Sequence, residues 1–153
     1  KVKPMANFEI IWSDDFQKQL ENLGAKFDEI APQMIDEAAP ILEKSMKRKL
    51  LRHKDTGELI NSIKAKKAKP VKGGGYYGYV TATGVAKGKV YKRARKKGGY
   101  STEGYRNYQK MLALEFGTSK QPPTPFLQSA VNDAESEVLN KMQEVFNREV
   151  EKQ

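Results

Sequence analysis

Leu114-Glu115-Phe116-Gly117-Thr118-Ser119-Lys120-Gln121-Pro122-Pro123-Thr124-Pro125-Phe126-Leu127 is the stretch on which the fold turns. An apolar run ends at Gly117, three prolines follow, and an apolar pattern resumes at Phe126. Met111 to Phe116 reads as a strand that ends at the glycine, after which a proline-stiffened connection crosses the domain. Pro125 fits the first turn of a last helix, where a missing backbone N–H costs nothing and a fixed φ is already helical. Phe116 and Phe126 are expected to clamp the crossing on the core.

Downstream, Leu127, Val131, Ala134, Val138, Met142, Val145 and Phe146 recur at helical spacing and line one apolar face. Far upstream, Phe27, Ile30, Met34, Ile35, Ala38, Ile41, Leu42, Met46 and Leu50 mark a longer helix with steps of three and four. Pro32 and Pro40 lie inside it and predict kinks or a break, because each removes an N–H and crowds the preceding turn. Lys44, Lys47, Arg48, Lys49 and Arg52 gather at its end, where cations suit the helix dipole. Before it, Phe8, Ile10 and Trp12 alternate as in a short strand or extended arm, and Ser13-Asp14-Asp15 is a helix start followed by Phe16, Leu20 and Leu23.

Between the two long helices the pattern changes. Ile63 to Thr83 reads as a hairpin: a Lys-rich strand, a turn at Gly73-Gly74-Gly75, then Tyr76, Tyr77, Tyr79, Val80 and Thr81 with high strand propensity. Residues 84–106 have no usable period and read as a long basic loop or an extended hairpin. The whole, 1–153, is expected to be a single α+β domain: an antiparallel sheet with a long N-terminal helical region and a C-terminal helix packed on one face.

The 153 residues carry 28 Lys and Arg against 19 Asp and Glu, and the excess is local. No acidic residue falls between Glu58 and Glu103, a segment that contains twelve cations. One positive surface on a balanced domain is the consequence. There is no cysteine, which excludes disulfides, thiolate nucleophiles and Cys-rich zinc sites. No apolar run is long enough to span a bilayer, and the N-terminus lacks the pattern of a secretion signal. The single histidine, His53, sits between Arg52 and Lys54 and reads as an exposed bystander. The carboxylate pairs Asp14/Asp15 and Asp36/Glu37 are adjacent rather than facing, as helix starts and solvated faces place them. The glycines at 73–75 lack the Lys-Ser/Thr of a phosphate-binding loop. No catalytic residue, metal ligand or cofactor site emerges, and the expectation is a non-enzyme without cofactors.

Lys87, Lys89, Lys92, Arg93, Arg95, Lys96 and Lys97, with Tyr91 and Tyr100 among them, are the candidate DNA or partner contacts. Cations neutralise phosphates and rings stack on unpaired bases. No groove-reading motif accompanies them, so sequence-specific recognition is not expected.

A second unusual stretch precedes the hairpin: Asp55-Thr56-Gly57-Glu58-Leu59-Ile60-Asn61-Ser62-Ile63. Asp55 or Thr56 fits the cap of a short helical turn that Leu59 and Ile63, four apart, anchor to the core. Together the two stretches resemble the small neck or tail-component family of tailed bacteriophages. Its members carry D-T-G-x-L-x-x-S-I after a long helix and E-F-G-T-S-K-x-P-x-x-P-F-L before the last helix. Asp55, Thr56, Gly57, Leu59, Ser62 and Ile63 match the first; Glu115, Phe116, Gly117, Thr118, Ser119, Lys120, Pro122, Pro125, Phe126 and Leu127 match the second. The chain departs from the family in its longer basic segment 84–106 and in Arg52-His53-Lys54, where a proline often stands.

The resemblance implies a structural virion protein of a phage or prophage, one copy in an oligomeric ring at the head–tail junction, serving as neck, tail-completion or tail-termination subunit. Its partners would be itself, neighbouring head-completion and tail proteins, and passing DNA through non-specific contact, with no membrane. It would reside in the virion and, during assembly, in the host cytoplasm. The alternatives are a non-specific nucleic-acid-binding module and a small basic ribonuclease that uses Arg, Lys and Tyr in place of histidine.

Overall fold

A computed structural model describes residues 24–53, 57–94 and 100–152. The expected strand at Phe8–Trp12 and helix from Ser13 lie outside these residues. After a short 3₁₀ turn, helix α1 spans Phe27–Leu50 and leads through a second 3₁₀ turn to the one-and-a-half-turn helix α2, Glu58–Ser62. Strands β1 (Ile63–Pro70) and β2 (Tyr76–Ala82) form one antiparallel hairpin, and β3 (Val85–Ala94) and β4 (Tyr100–Arg106) form another. Helix α3 (Asn107–Phe116) and helix α4 (Leu127–Glu151) complete the chain. The architecture is α+β, with a long helix before the strands and a long one after them.

Helix α1 runs without a break through Pro32 and Pro40, so of the two outcomes expected there, kinks or a break, the break does not occur. Each proline costs roughly 3 kcal/mol in a helix interior. Burial of Ile30, Met34, Leu42, Met46 and Leu50 outweighs that, at about 1.5–3 kcal/mol per large apolar side chain. With Ala38 these residues recur every four positions. On a helix of 3.6 residues per turn each such step advances about 40°, so the buried line winds about half-way round α1. That winding lets one helix pack against the hairpin on one side and α4 on another.

Helix α4 answers with its own line at steps of four, Ala130, Ala134, Val138, Met142 and Phe146, flanked by Leu127 and Val145. It runs antiparallel to α1: Ser45 Oγ donates to the Ala130 carbonyl at 2.9 Å near one end, and Glu37 pairs with Arg148 near the other. Ile63, Val80 and Ala82 of the hairpin and Met111 of α3 join the same core.

Met111–Phe116 is helical rather than a strand. Met, Leu, Ala, Leu and Glu all favour helix, and the turn begins four residues earlier at Asn107, where the Arg106 N–H donates to Gln109 Oε1 at 3.0 Å. Read from Met111 alone, the run is too short to show its period. Tyr108, Met111 and Leu114, three apart, are the positions turned to the core.

Candidate functional site

The two stretches singled out in the sequence are joints. Gly57 has φ +75° and stands at the N-terminus of α2, where its carbonyl accepts from the Asn61 N–H at 3.0 Å. Asp55 and Thr56, expected to cap this turn, lie outside the described residues. Ser62 Oγ donates to the Leu59 carbonyl at 2.7 Å, and the Ser62 carbonyl accepts from both the N–H and Oγ1 of Thr83. Ile63 is fully buried and Leu59 partly so, so the turn is pinned to the core at both of the anchors expected for it, with Ile60 packed beside them. Glu58 pairs with Lys110 of α3 at 2.9 Å, which ties this joint to the second.

At the second joint the proline crossing closes the end of α3, and α3 closes the start of α4. The Leu114 carbonyl, one of the last in α3, accepts from the Thr124 N–H at 2.7 Å. The Glu115 carboxylate accepts from the N–H groups of Phe126 and Leu127 at 2.8 and 2.9 Å. The first N–H groups of a helix lack internal partners and favour negative charge. Phe126 has no side-chain acceptor, so a carboxylate eleven residues upstream serves instead. Between them the chain doubles back at Gly117 (φ +71°, ψ −177°) into a tight Thr118/Gln121 pairing. A Cβ on Gly117 would stand 2.8 Å from the Gln121 carbonyl oxygen and the Pro123 nitrogen, so only glycine fits.

Two expectations about this joint are corrected. Phe126 is buried at 3% exposure, but Phe116 is 58% exposed and clamps nothing: a helix, unlike a strand, turns it outward. Pro125 precedes the last helix, which begins at Leu127. Pro122 and Pro125 are both exposed. The sequence reading also missed Glu115 as a helix cap. The available signal was the absence of Ser, Thr, Asp or Asn at Phe126, immediately before a strongly periodic helix.

The carboxylates of α1 do more than face solvent. Asp36 Oδ1 accepts from the Ala68 N–H and Glu43 Oε2 from the Ala65 N–H, each at 2.7 Å, so two acids close the outer edge of β1. Burial pushes the Glu43 carboxyl up, yet the hydrogen bonds from Lys47 and Ala65 together hold it below its ordinary value. Glu37, one residue from Asp36, points instead at Arg148 of α4. Asp133 of α4 meets Lys49 and Arg48 at 2.7 and 3.0 Å and is likewise lowered, chiefly by the Lys49 hydrogen bond.

In the basic segment, Lys87, Lys89, Lys92 and Arg93 fall on β3, whose backbone pairs with β4 from Val85↔Arg106 to Ala94↔Tyr100. Arg95, Lys96 and Lys97 lie outside the described residues. The base of this hairpin is fastened to the core by buried Ala86 and by Asn107, whose N–H donates to the Gly84 carbonyl and whose Nδ2 donates to the Thr83 carbonyl at 2.9 Å. Asn107 Oδ1 is buried with no partner among the described residues.

His53 is exposed on the 3₁₀ turn after α1. Among the described residues no group of three or more His, Cys, Asp or Glu side chains is placed to hold a metal, and no helix is long and apolar enough to cross a membrane. A groove of about 370 Å³ between α1 and α4 is floored by Ile41 and Ile60 and edged by Lys44, Lys47 and Arg48. Of the acids around it, Asp133 is paired with Lys49 and Arg48.

What the joints build is a helix–hairpin–helix unit, and its sequence matches a family model. The model described as "Bacteriophage HK97-gp10, putative tail-component" covers residues 14–117, more than half of the chain. The chain belongs to this HK97-gp10-like family. The match takes in α1, the first joint, both hairpins and α3. It stops at Gly117, so the proline crossing and α4 lie beyond it. The protein is thereby a phage tail component, a structural part of the virion. No curated protein and no solved structure matches the chain.

Proposed function

We propose that this HK97-gp10-like protein is a non-enzymatic subunit of an oligomeric ring at the head–tail junction, as neck, tail-completion or tail-termination component. The family match over residues 14–117 is the observation that carries the reading. The chemistry of the described residues supports it: the carboxylates of α1 and α4 hold strand edges and helix pairs, and the lone histidine is exposed. A ring repeats each contact around an axis, so modest interfaces between copies accumulate. Neighbouring copies and the adjoining head and tail proteins are the partners, with assembly in the host cytoplasm and residence in the virion. The basic β3–β4 hairpin is the element that meets those neighbours or the passing DNA.

Inactivating the gene should leave unjoined heads and tails in electron micrographs of lysates, and mass spectrometry of purified virions should find the protein at a few to a few tens of copies, as a ring requires. Its absence from purified virions, or turnover of RNA by the purified chain, would overturn the reading.

A further inference from the structure

We infer that the outward face of the β1–β2 hairpin is a second, independent nucleic-acid contact that binds the phosphate backbone without regard to base. The register places Lys64 opposite Thr81, Lys66 opposite Tyr79 and Lys69 opposite Tyr77. Directly paired residues of an antiparallel ladder project from the same face. Ile63, Val80 and Ala82 are buried, so the three lysines and their partners share the other face. Lys69 belongs to this row only because of a bulge between Lys66 and Lys69. Three residues separate these lysines, and strict alternation would send Lys69 to the opposite side. The extra residue restores it. Lys67, inside the bulge, is the lysine that pairs with Asp36, at 3.3 Å.

The result is a row of three ammonium groups, about 7 Å apart where the strand is regular, beside a row of three hydroxyls. The Tyr77 and Tyr79 rings stack at 6.1 Å with planes 14° apart, and Tyr77 is 44% exposed. Among the described residues Lys64, Lys66 and Lys69 make no ion pair, and the hydroxyls of Tyr77, Tyr79 and Thr81 make no hydrogen bond. Three acids of α1 reach the hairpin and are engaged there: Asp36 and Glu43 accept from Ala68 and Ala65 on the edge of β1, where the Lys64 charge also acts on Glu43, and Asp28 accepts from the Tyr76 hydroxyl. A regular double row of cationic and hydroxyl donors suits a regular polyanion, and Lys, Tyr and Thr are among the side chains that contact phosphate oxygens. Among the described residues no helix lies on this face to enter a groove and read bases, so the contact is independent of sequence. The surface is distinct from the basic β3–β4 segment and does not depend on assembly into a ring.

The test uses the full chain and fluorescent short DNA of mixed sequence, duplex in one arm and single-stranded in the other, titrated across salt concentration. Replacing the row in one variant, Lys64→Gln with Lys66→Gln and Lys69→Gln, should weaken binding on the order of tenfold or more and flatten the salt dependence of the association constant by about two to three in log–log slope. The arm that loses affinity tells which form supplies the phosphates, and loss in either supports the inference. A Lys→Arg replacement of the same three should retain binding, and Tyr77→Phe with Tyr79→Phe should weaken it severalfold. Thermal melts and sedimentation of the same samples report fold and oligomeric state, so a failure of the ring reading is seen separately. Unchanged DNA affinity and slope in the Lys→Gln variant would overturn the inference. So would a variant that keeps DNA binding but loses self-association, which would assign the face to an acidic protein surface.

Discussion

Helix α1 holds two neighbours by different means. The β1–β2 hairpin buries Ile63, Val80 and Ala82 on its inner face and is gripped in addition through its backbone: Asp36 and Glu43 accept from strand N–H groups, and Gly78 lets the Ile35 side chain press against bare main chain. Helix α4 is held through its side chains, by an apolar line at steps of four and by ion pairs at Glu37–Arg148 and Asp133–Lys49. Gripping a strand by its backbone leaves the side chains on its far face unconstrained. That is why β1 tolerates four lysines, Lys64, Lys66, Lys67 and Lys69, while α4 must keep its period.

The sharpest way to break the comparison is to detach α4 at its start. Gly117→Ala forces a Cβ into a conformation that essentially only glycine adopts, against backbone atoms 2.8 Å away that have no side-chain freedom to yield. The expected loss is about 3 kcal/mol, read as a shift of the urea midpoint. Glu115→Ala leaves the N–H groups of Phe126 and Leu127 without their carboxylate and should cost about 2 kcal/mol. Glu115→Gln, which keeps an acceptor but loses the charge, should fall between that variant and the native chain. Equal stability of the Ala and Gln variants would show that water caps the helix as well as the side chain does.

These joints also mark where the sequence was readable. Helices α1 and α4 follow from period alone, because their partners act on side chains: seven apolar positions of α4 were named, and only Ala130 was missed, a small residue that does not stand out until Ser45 is placed against it. The β1–β2 hairpin was readable from its glycine turn and its tyrosines. Its attachment to α1 was not, because a carboxylate on a strand N–H leaves no trace in strand composition. Helix α3 was misread for a related reason. Its apolar residues crowd into Met111–Phe116, and the polar half that fixes its phase, Asn107–Lys110, continues a basic segment without a period of its own. The motif residues stood out through resemblance, yet the parts played by Glu115 and Gly117 required the close return of Pro123 and Phe126.

On the hairpin side, Gly78→Ala is the corresponding break. A Cβ at this position overlaps Ile35 Cγ2, a branched side chain with little rotamer freedom on a helix. Overpacking of this kind costs about 1–2 kcal/mol, less than the Gly117 change because a side chain rather than backbone must move. The companion Ile35→Ala should relieve the overlap, so the double variant should be more stable than the sum of the two single losses. Strict additivity would mean that the two residues do not meet in solution.

The smallest effect tests the side-chain grip itself. The hydrogen bond from Arg148 is the main reason the Glu37 carboxyl lies below its ordinary value of 4.5; burial opposes it, and the charges of Arg148 and Lys141 lower it further against the Glu149 charge. A carboxyl whose pKa is lower in the folded than in the unfolded chain binds protons more readily when unfolded. Its contribution is therefore complete above about pH 4.5 and is lost as the pH falls through the lowered folded value. Both partners are more than a third exposed, so solvent screening keeps the pair below about 1 kcal/mol. Glu37→Gln should accordingly cost less than that at neutral pH, and the difference from the native chain should vanish in acid and shrink with added salt. Asp36 accepts from the fixed Ala68 N–H, and its ion partner Lys67 is almost fully exposed, so Asp36→Asn should show a weaker salt response. A Glu37→Gln penalty unchanged by acid and by salt would show that the two long helices are held at this end by packing alone.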